Sequence, residues 1–406
     1  MNHATTPDHL QLDLTWQEPI PPAGVQAAMA LMDSAKLHRY GETGAKPGEA
    51  AALEADFAAE IGMPYCVAMN SCGSTMFAAL RCSGVRPGDK VLSNCFTLAP
   101  VPGAIAHAGA VPVLVDVTDD LLIDLDDLRR KAQASGAKTL LLSHMRGHIC
   151  DMQALTAVCA EFGIRLIEDC AHTMGAGWNG KATGTWGMAG CFSLQSYKHA
   201  NSGEGGLLVT HDADLAAQAV LLSGSYMLYA SHVARPGPEV FDRWKYHTPN
   251  FSLRMGNLPA ALARSQLGEV LKERCARWNQ RYHWLHDALL GEPHIRLPLR
   301  PPQERFVGSS LQFSLVDMDR AQMQAAVAAC ARSGVHVKWF GADEPVGFTS
   351  VWQHWRYFGE EQSLPRAQRV LAGLCDLRLP LSLSQADCVA IGQIIRSAVQ
   401  AAQTRG

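Results

Sequence analysis

The sequence lacks the features that mark several large classes of protein. Its 12 cysteines include no CxxC pair and no cluster with histidine, so no cysteine-based metal site is predicted. Acidic and basic residues are interspersed and the net charge is −3, which argues against a surface for nucleic acid or anionic membrane. Internal repeats and low-complexity tracts are absent as well.

Long apolar runs are also missing. No stretch approaches the roughly 20 apolar residues that a membrane-spanning helix requires. The polar first residues lack the basic-then-apolar order of a signal peptide. A disulfide framework is not expected in a chain of 406 residues. Together these absences predict a cytoplasmic protein without a membrane segment and with reduced cysteines.

The first half of the chain carries a repeated change of pattern. Between residues 50 and 220, short apolar runs alternate with helical patterns such as residues 151–162, where Asp151 is a candidate N-cap and Gly163 a candidate C-cap. This alternation predicts an α/β fold with a mainly parallel central sheet and helices on both faces. The strand candidates are residues 66–69, 90–93, 111–117, 139–143, 165–169, 190–194 and 207–210.

The second half has a different organisation. Apolar residues at helical spacing predict one long helix over residues 257–290, with Pro259 in its first turn. Beyond it, the strand candidates 311–316 and 335–338 mix with the helix patterns 319–331 and 385–402. We therefore predict an N-terminal arm (1–25), a large α/β domain (26–262), and a linking helix with a smaller α+β domain (263–406).

The strongest chemical signal is a lysine that follows a strand and precedes a glycine-rich stretch. Residues 190–206 read GCFSLQSYKHANSGEGG and place Lys198 in a turn. A lysine forms an imine with an aldehyde cofactor if its amine is uncharged and held in place. Since the ordinary pKa of lysine is about 10.4, such a site must favour the neutral amine. An isolated lysine is usually a solvated surface charge, so Lys198 gains its weight from the segments described next.

The second signal is a pair of carboxylates at the end of a buried strand. Residues 165–176 read RLIEDCAHTMGA, and strand alternation points Glu168 and Asp169 to opposite faces. A carboxylate at the C-terminal end of such a strand sits where open α/β sheets bind ligands. Against a pyridine nitrogen, Asp169 would keep the ring protonated as an electron sink. Alone, it would more often be a helix cap or one half of an ion pair.

The third signal is a turn of small residues before a helix. Residues 70–75 read NSCGST, so backbone N–H groups and the helix dipole would converge on an anion, with Gly73 leaving room and Ser74 adding a hydroxyl. An ordinary capped helix is an equally good interpretation of this segment alone. The stretch GAGWNG from Gly175 matches a dinucleotide-binding pattern, but turn-like residues follow it instead of a helix, so that match is weak.

These segments, in this order, resemble the pyridoxal-phosphate-dependent aminotransferases of the DegT/DnrJ/EryC1/StrS type. The similarity runs from about Arg39 to the C-terminal helix. Its matching stretches are NSCGSTMFAAL, GDKVLSNCFT, AGAVPVLVDV, EDCAHTMGA, FSLQSYKHANSGEGG, SLRMGNLPAAL and SLPRAQRV. The resemblance implies fold type I and a homodimer whose active sites lie at the subunit interface.

The same resemblance implies roles for individual residues. Lys198 looks like the lysine that carries pyridoxal 5′-phosphate as a Schiff base, and Asp169 like the partner of the pyridine nitrogen. Phosphate ligands are implied at Gly73, Ser74 and Ser193. The segment 251–254, which contains Ser252, resembles the stretch that reaches the phosphate of the neighbouring subunit.

Several positions depart from the family pattern. His172 stands where glutamine usually contacts the phenolic oxygen of the cofactor, and a histidine can still donate a hydrogen bond there. Leu98 aligns with the aromatic residue that usually covers the ring, while Phe96 is expected to share its strand face. Ser252 aligns with an asparagine, and Asn250 is nearby. Arg146 lies in HMRGH in place of the usual HLYG, where it meets either an acidic substrate group or a structural salt-bridge partner.

The expected reaction is the transfer of an amino group from glutamate or glutamine to a ketone or aldehyde acceptor, such as a sugar or nucleotide sugar. Lys198 would act as general base and acid. Two alternatives stay open: a sugar dehydratase, although its relatives have histidine in place of Lys198, and a non-catalytic regulatory protein that binds the cofactor. Residues 224–246 and 351–358 could line the acceptor pocket, or fill an interface or core.

Overall fold

The computed structural model describes residues 10–40, 47–344, 351–359 and 362–404. Its helices are α1 (Pro22–Ser34), α2 (Glu49–Ile61), α3 (Cys72–Cys82), α4 (Pro100–His107), α5 (Leu125–Ser135), α6 (Met152–Phe162), α7 (Ala213–Ser223), α8 (Pro238–Trp244), α9 (Asn257–Arg264), α10 (Glu269–Leu289), α11 (Arg320–Arg332), α12 (Pro365–Gly373) and α13 (Gln385–Gln403). Among the described residues, none of these helices has both the length and the apolar character needed to cross a membrane.

The strands fall into three sheets. They are β1 (Tyr65–Met69), β2 (Lys90–Asn94), β3 (Val111–Val115), β4 (Thr139–Ser143), β5 (Arg165–Asp169), β6 (Gly177–Trp178), β7 (Lys181–Ala182), β8 (Ala189–Ser193), β9 (Gly206–Thr210), β10 (Ile295–Arg296), β11 (Glu304–Arg305), β12 (Ser310–Leu315), β13 (Lys338–Trp339) and β14 (Leu374–Arg378). Every strand predicted between residues 50 and 220 is present, with ends that differ by at most two residues.

The large sheet carries the first half of the fold. Its described strands run in the order β1-β9-β8-β5-β4-β2-β3. From β3 to β8 neighbouring strands are parallel, while β9 is antiparallel to both β8 and β1. Leu141 and Ile167 pack with α3, α4 and α7 on one face, whereas Leu140 and Leu166 pack with α5 and α6 on the other. This confirms the predicted α/β class with helices on both faces.

The direction of these strands decides where a site can form. Because β4, β5 and β8 are parallel, their C-terminal residues Ser143, Asp169 and Ser193 meet at one edge of the sheet. The start of α3 reaches the same edge beside β9. There a Cβ on Gly206 would lie 2.5 Å from the backbone of Ser71, so only glycine permits this close approach.

The second half builds a smaller layer. Strands β10, β12, β14 and β13 form an antiparallel sheet in that order. One face packs against α10, α11 and α13, through residues such as Leu285, Ala326 and Ile391. Leu10, near the start of the described chain, packs on the same cluster, and its N–H donates to the carbonyl of Ser333 (3.0 Å). The boundaries proposed for the arm and the two domains stay predictions.

The long helix predicted over residues 257–290 is wrong, because the structure has two helices, α9 and α10. Gly268 between them has φ 63° and ψ −127°, a conformation that a continuing helix cannot adopt. Just before it, the buried side chain of Gln266 donates to the carbonyls of Leu262 and Asn201 (both 2.7 Å), which fixes the break. The linking helix therefore begins at Glu269.

The strand predicted over residues 335–338 is also wrong in extent. Only Lys338 and Trp339 pair with β14. Val335 instead closes the turn after α11, where its N–H donates to the carbonyl of Cys330 (2.9 Å) and its side chain is buried. Burial in a turn and burial in a strand leave the same apolar signal in the sequence.

Candidate active site

Lys198 lies in the turn that follows β8, and its amine meets a histidine. Lys198 Nζ donates to Nε2 of His172 over 2.7 Å. Burial, reinforced by the Lys198 charge, lowers the pKa of His172 well below the ordinary value, so the imidazole is neutral and Nε2 accepts. Desolvation and the Arg146 guanidinium lower the pKa of Lys198 to about 8. The lysine is thus close to the neutral form that a nucleophilic amine requires.

Asp169 ends β5 at the same edge and is buried. Its carboxylate accepts from Ser143 Oγ (2.7 Å) and from the N–H of Ala171 (3.1 Å), and the thiol of Cys72 lies 4.0 Å away. Burial raises the pKa of Asp169 despite the hydrogen bond from Ser143. A cationic N–H placed against this carboxylate would therefore be strongly stabilised.

The neighbouring Glu168 serves a different purpose on the other face of β5. It accepts the backbone N–H groups of Gly184, Trp186 and Gly187 at 2.8 to 2.9 Å, and His144 Nε2 lies 3.1 Å away. These contacts agree with the opposite orientations predicted for Glu168 and Asp169. The arrangement assigns Glu168 to the architecture of the loop before β8, whereas the role of Asp169 in chemistry stays a prediction.

The turn before α3 has the predicted arrangement of small polar residues. Ser71 caps the helix, accepting from the N–H of Ser74 (3.0 Å), and Ser74 Oγ donates to Asn70 Oδ1 (2.6 Å). Gly73 and Ser74 border an open groove with a volume of about 1090 Å³. A Cβ on Gly73 would meet only Ser71 Oγ, at 3.7 Å, so this backbone is open to an approaching anion.

Leu98 lines the same groove, whereas Phe96 is not among the residues that line it. Phe96 is fully buried, with its ring centroid 5.5 Å from that of Phe340. The expectation that Phe96 and Leu98 share a strand face is wrong, because β2 ends at Asn94 and alternation stops there. Tyr357 supplies an aromatic side chain to the groove, from one of the two segments considered for the acceptor pocket.

The two remaining predicted ligands lie in different settings. Ser193 ends β8, is buried, and accepts a long hydrogen bond from the N–H of Gln195 (3.4 Å). Ser252 is exposed, has φ 59°, and donates to Asn250 Oδ1 (3.2 Å). Its neighbours Phe251 and Leu253 line the groove beside Gly73. The role implied for Ser252 concerns a second subunit and stays a prediction.

A set of charged residues from the smaller sheet completes the surroundings of Lys198. Arg146 and Arg378 line one cavity together with His172 and Lys198. Arg146 Nη2 lies 2.5 Å from Asp376 Oδ2, which realises the salt bridge considered for Arg146. The site therefore lies between the edge of the large sheet and the face of the small one.

The sequence matches a known protein family along most of its length. A model of the DegT/DnrJ/EryC1/StrS aminotransferase family matches residues 26–396. The chain belongs to this family. Like other members, it has the fold seen in the crystal structure of an aminotransferase, TlmJ, from Streptoalloteichus hindustanus, with a TM-score of 0.80 and 22% identity over 96% of this chain and 99% of that one. The predicted fold type I is thereby confirmed.

Curated relatives match over part of their length. GDP-perosamine synthase of Caulobacter vibrioides is 30% identical over 251 residues, which are 60% of this chain and 64% of the relative. L-glutamine:2-deoxy-scyllo-inosose aminotransferase of Streptoalloteichus tenebrarius is 33% identical over 243 residues, 59% of this chain and 56% of the relative. The chain thus spans about half to two thirds of the length of the curated relatives it matches.

Sequence reasoning missed the contribution of the smaller sheet to the site of this DegT/DnrJ/EryC1/StrS member. Asp376 and Arg378 lie on β14, more than 170 residues after Lys198, and no motif marks them. The one available signal is alternation: β14 reads LCDLR, with the charged residues Asp376 and Arg378 two positions apart in a largely buried strand. An alternating charged face on an otherwise apolar strand indicates a surface that faces a site.

Proposed function

We propose that this chain is a pyridoxal-phosphate-dependent aminotransferase that moves an amino group from glutamate or glutamine to a ketone or aldehyde, in the class of sugars or nucleotide sugars. The observation that carries the proposal is the hydrogen bond between the Lys198 amine and a neutral His172. The pKa of this amine is lowered to about 8. The names of two relatives support the acceptor class, because one specifies the synthesis of a GDP-sugar and the other the transfer of an amino group to an inosose.

The residues at the sheet edge fit the cofactor. The buried Asp169 has neutral donors in Ser143 and Ala171 and a raised pKa, so a protonated pyridine nitrogen would satisfy it. Gly73 and Ser74 present the open helix N-terminus to a phosphate, and Ser193 would supply a further hydroxyl. Bound pyridoxal phosphate supplies an aldehyde that captures the amino group and a ring that accepts the electron pair left by the departing Cα proton.

The chain's own groups would then handle the protons. Lys198 Nζ would take the proton from the substrate Cα as general base and deliver it, as general acid, to the cofactor carbon that carried the aldehyde; the second half of the cycle reverses both transfers. A pKa near 8 suits both roles close to neutral pH. The neutral imidazole of His172 orients the Lys198 amine through Nε2. It adds no positive charge that would repel the protonated amine.

The presence of Lys198 separates this proposal from the sugar dehydratase, one of its two alternatives. A sugar dehydratase of this family has histidine at the lysine position, and here His199 follows Lys198 and lies 3.2 Å from Ser309 Oγ. A regulatory protein would bind the cofactor but leave it unchanged when an amino donor is added. Conversion of the bound cofactor by glutamate or glutamine therefore distinguishes transfer from regulation.

The test replaces Lys198 by alanine and compares it with Lys272→Ala, an exposed lysine on α10. With added pyridoxal phosphate, we expect wild type and Lys272→Ala to form a yellow chromophore that borohydride reduces onto the protein. Glutamate or glutamine should bleach that chromophore. Lys198→Ala should lose the covalent attachment and at least roughly 10²-fold of the transfer rate. Attachment in Lys198→Ala at the wild-type level would refute the assignment.

We further propose a homodimer with shared active sites. Two observations support it: the groove beside Gly73 is open and lined by apolar groups such as Phe77, Leu98 and Phe251, and Phe251 is 64% exposed in the single chain. A second subunit seated on this groove would cover Phe251 and enclose the phosphate turn. Residues 251–254 of each subunit would then contact the phosphate site of the other subunit.

A further inference from the structure

Arg146 is held in an unusual conformation close to Lys198. It lies in the short 3₁₀ turn Met145–Gly147 that follows β4, with φ 55° and ψ 24°. Residues other than glycine rarely adopt this left-handed conformation, and where they do, the surrounding structure must hold them. The side chain is 10% exposed, and its buried Nε has no hydrogen-bond partner among the residues that the structure describes. A donor of this kind, on the wall of the cavity that contains Lys198, has capacity for one more acceptor.

The small sheet fixes the other end of this side chain. Strands β12 and β14 pair so that Gln312 lies opposite Asp376 and Ser310 opposite Arg378. Their alternate residues, Leu311 and Leu377, point into the hydrophobic core. The polar residues therefore share the opposite face, which turns towards Lys198.

Both oxygens of Asp376 are engaged on that face. Gln312 Nε2 donates to Oδ1 over 2.7 Å, and Arg146 Nη2 lies 2.5 Å from Oδ2. His148 Nε2, in turn, lies 2.8 Å from Gln312 Oε1. Because this chain of contacts runs from one sheet to the other, the guanidinium of Arg146 is preorganised before any substrate arrives.

Arg378 adds a second guanidinium beside the first. Its central carbon lies 3.9 Å from the ring centroid of Tyr197, next to Lys198 in the chain. Desolvation and the Arg146 charge lower the pKa of Arg378, and both arginines line the cavity that contains Lys198. Lys338, opposite Asp376 in β13, adds further positive charge. Asp376 pairs with Arg146, and Glu18, which also lines the cavity, pairs with Arg274, so Lys198 and Arg378 leave a positive surplus there.

We propose that Arg146 and Arg378 form a carboxylate-binding subsite beside Lys198. A guanidinium offers paired donors that match the two oxygens of a carboxylate, and a partly desolvated pair binds it more strongly than an exposed one. The carboxylate belongs either to the amino donor, next to the reacting Cα, or to an acidic acceptor. This inference rests on the proposed function, because it presumes that substrates react at Lys198.

Two half-reactions of the cofactor-loaded protein distinguish the two sources. In the first, glutamate converts the bound cofactor to its amine form. In the second, that amine form is converted back by 4-oxocyclohexanecarboxylate or by uncharged cyclohexanone. Arg378→Gln is the primary variant because it leaves the Arg146–Asp376 ion pair in place. Arg146→Gln and the charge-retaining Arg146→Lys accompany it, and Arg366→Gln, which removes an arginine paired with Asp124 (2.6 Å), is the matched control.

We expect Arg378→Gln and Arg146→Gln to raise the concentration for half-maximal conversion by about 10- to 100-fold for the carboxylate-bearing reactant. The limiting rate should fall less, Arg146→Lys should recover part of the affinity, and cyclohexanone should be unaffected. If the half-maximal concentration rises for glutamate, the subsite belongs to the donor. If it rises only for 4-oxocyclohexanecarboxylate, the subsite belongs to the acceptor. Shifts below two-fold in both half-reactions overturn the subsite while wild type still converts. Absence of conversion of the wild-type cofactor by both glutamate and glutamine would instead overturn the proposed function.

Discussion

At the scale of single residues, local motifs identify the residues predicted to carry the chemistry. Other residues of the site come from distant parts of the sequence. Lys198, Asp169 and Gly73 are recognisable because each stands next to its strand or helix end in the sequence. Asp376 and Arg378 are not, because each comes near the site only when a segment more than 170 residues further on folds back. Nothing in their immediate neighbours reports a contact at that separation.

Asp169 gives the first prediction at this scale. Asp169→Asn keeps the size of the side chain and its acceptor for Ser143, but removes the negative charge that would hold a pyridinium. We expect conversion of the bound cofactor by glutamate to slow by roughly 10²-fold or more, while Lys198 still forms the reducible attachment. Rapid-mixing spectroscopy of the loaded protein measures the rate.

The matched control for this change is Asp151→Asn, at the N-cap of α6. Asparagine caps a helix about as well as aspartate. Its side-chain oxygen should therefore still accept the hydrogen bonds from the N–H groups of Gln153 and Ala154. The control should therefore keep both the rate and the attachment. A rate in Asp169→Asn within ten-fold of wild type would contradict the assigned role.

At the scale of elements, capping signals and periodicity predict most boundaries. Asp151 and Gly163 delimit α6 as expected, and the helix predicted at 319–331 begins after Asp319, which forms a capping box with Gln322. The break between α9 and α10 escaped prediction because the apolar spacing continues through it. That break depends on the bonds of Gln266 to another part of the chain, which periodicity cannot report.

Glu54 on α2 contacts three distant parts of the chain, and these contacts predict that the stability of the fold depends on pH. It accepts from the N–H of Ala68 on β1 (2.6 Å) and lies 2.5 Å from Arg39 and 3.1 Å from His232. Although burial opposes ionisation, Arg39 and His232 lower the pKa of Glu54 from 4.5 to about 2. The unfolded chain thus binds more protons between these values, so this stabilisation is complete above pH 4.5 and is lost as pH falls towards 2.

Glu54→Gln should therefore lower the free energy of unfolding at pH 7 by about 3–5 kcal/mol, since it leaves Arg39 buried without its counter-charge. The difference in the free energy of unfolding between Glu54→Gln and wild type should be smaller at pH 3.5. Urea unfolding at both pH values measures it. Glu49→Gln, on the same helix and in a more exposed ion pair with Arg264, is the control and should change stability by less than about 1 kcal/mol. An equal gap at both pH values would refute the linkage.

At the scale of the whole molecule, the site depends on two sheets and, by our proposal, on two chains. The large sheet supplies Lys198 and Asp169, the small sheet supplies Arg378, and the groove beside Gly73 opens to the outside. Sequence patterns predicted both layers, since each has its own periodicity. The way the layers face each other could not be predicted, because contacts such as that of Arg146 with Asp376 fix it.

Phe251→Asp tests the proposed dimer. A charge on this exposed ring position would have to be buried against the partner, so we expect the sedimentation coefficient to shift from that of a dimer to that of a monomer. Affinity for pyridoxal phosphate should fall with it if the partner completes the phosphate site. Leu299→Asp, at a leucine 72% exposed away from the groove, should remain dimeric. A Phe251→Asp protein that sediments as wild type would contradict this interface.

The opposite orientations of Glu168 and Asp169 have a consequence for how this chain can change over generations. One carboxylate organises a loop and the other serves the site, and only strand parity tells them apart. Inserting or deleting one residue within β5 would exchange the two orientations, leaving an acid of the wrong length in the site and the three N–H groups of residues 184–187 without acceptors. Lineages of this protein should therefore tolerate conservative replacements in β5 far better than any change in its length.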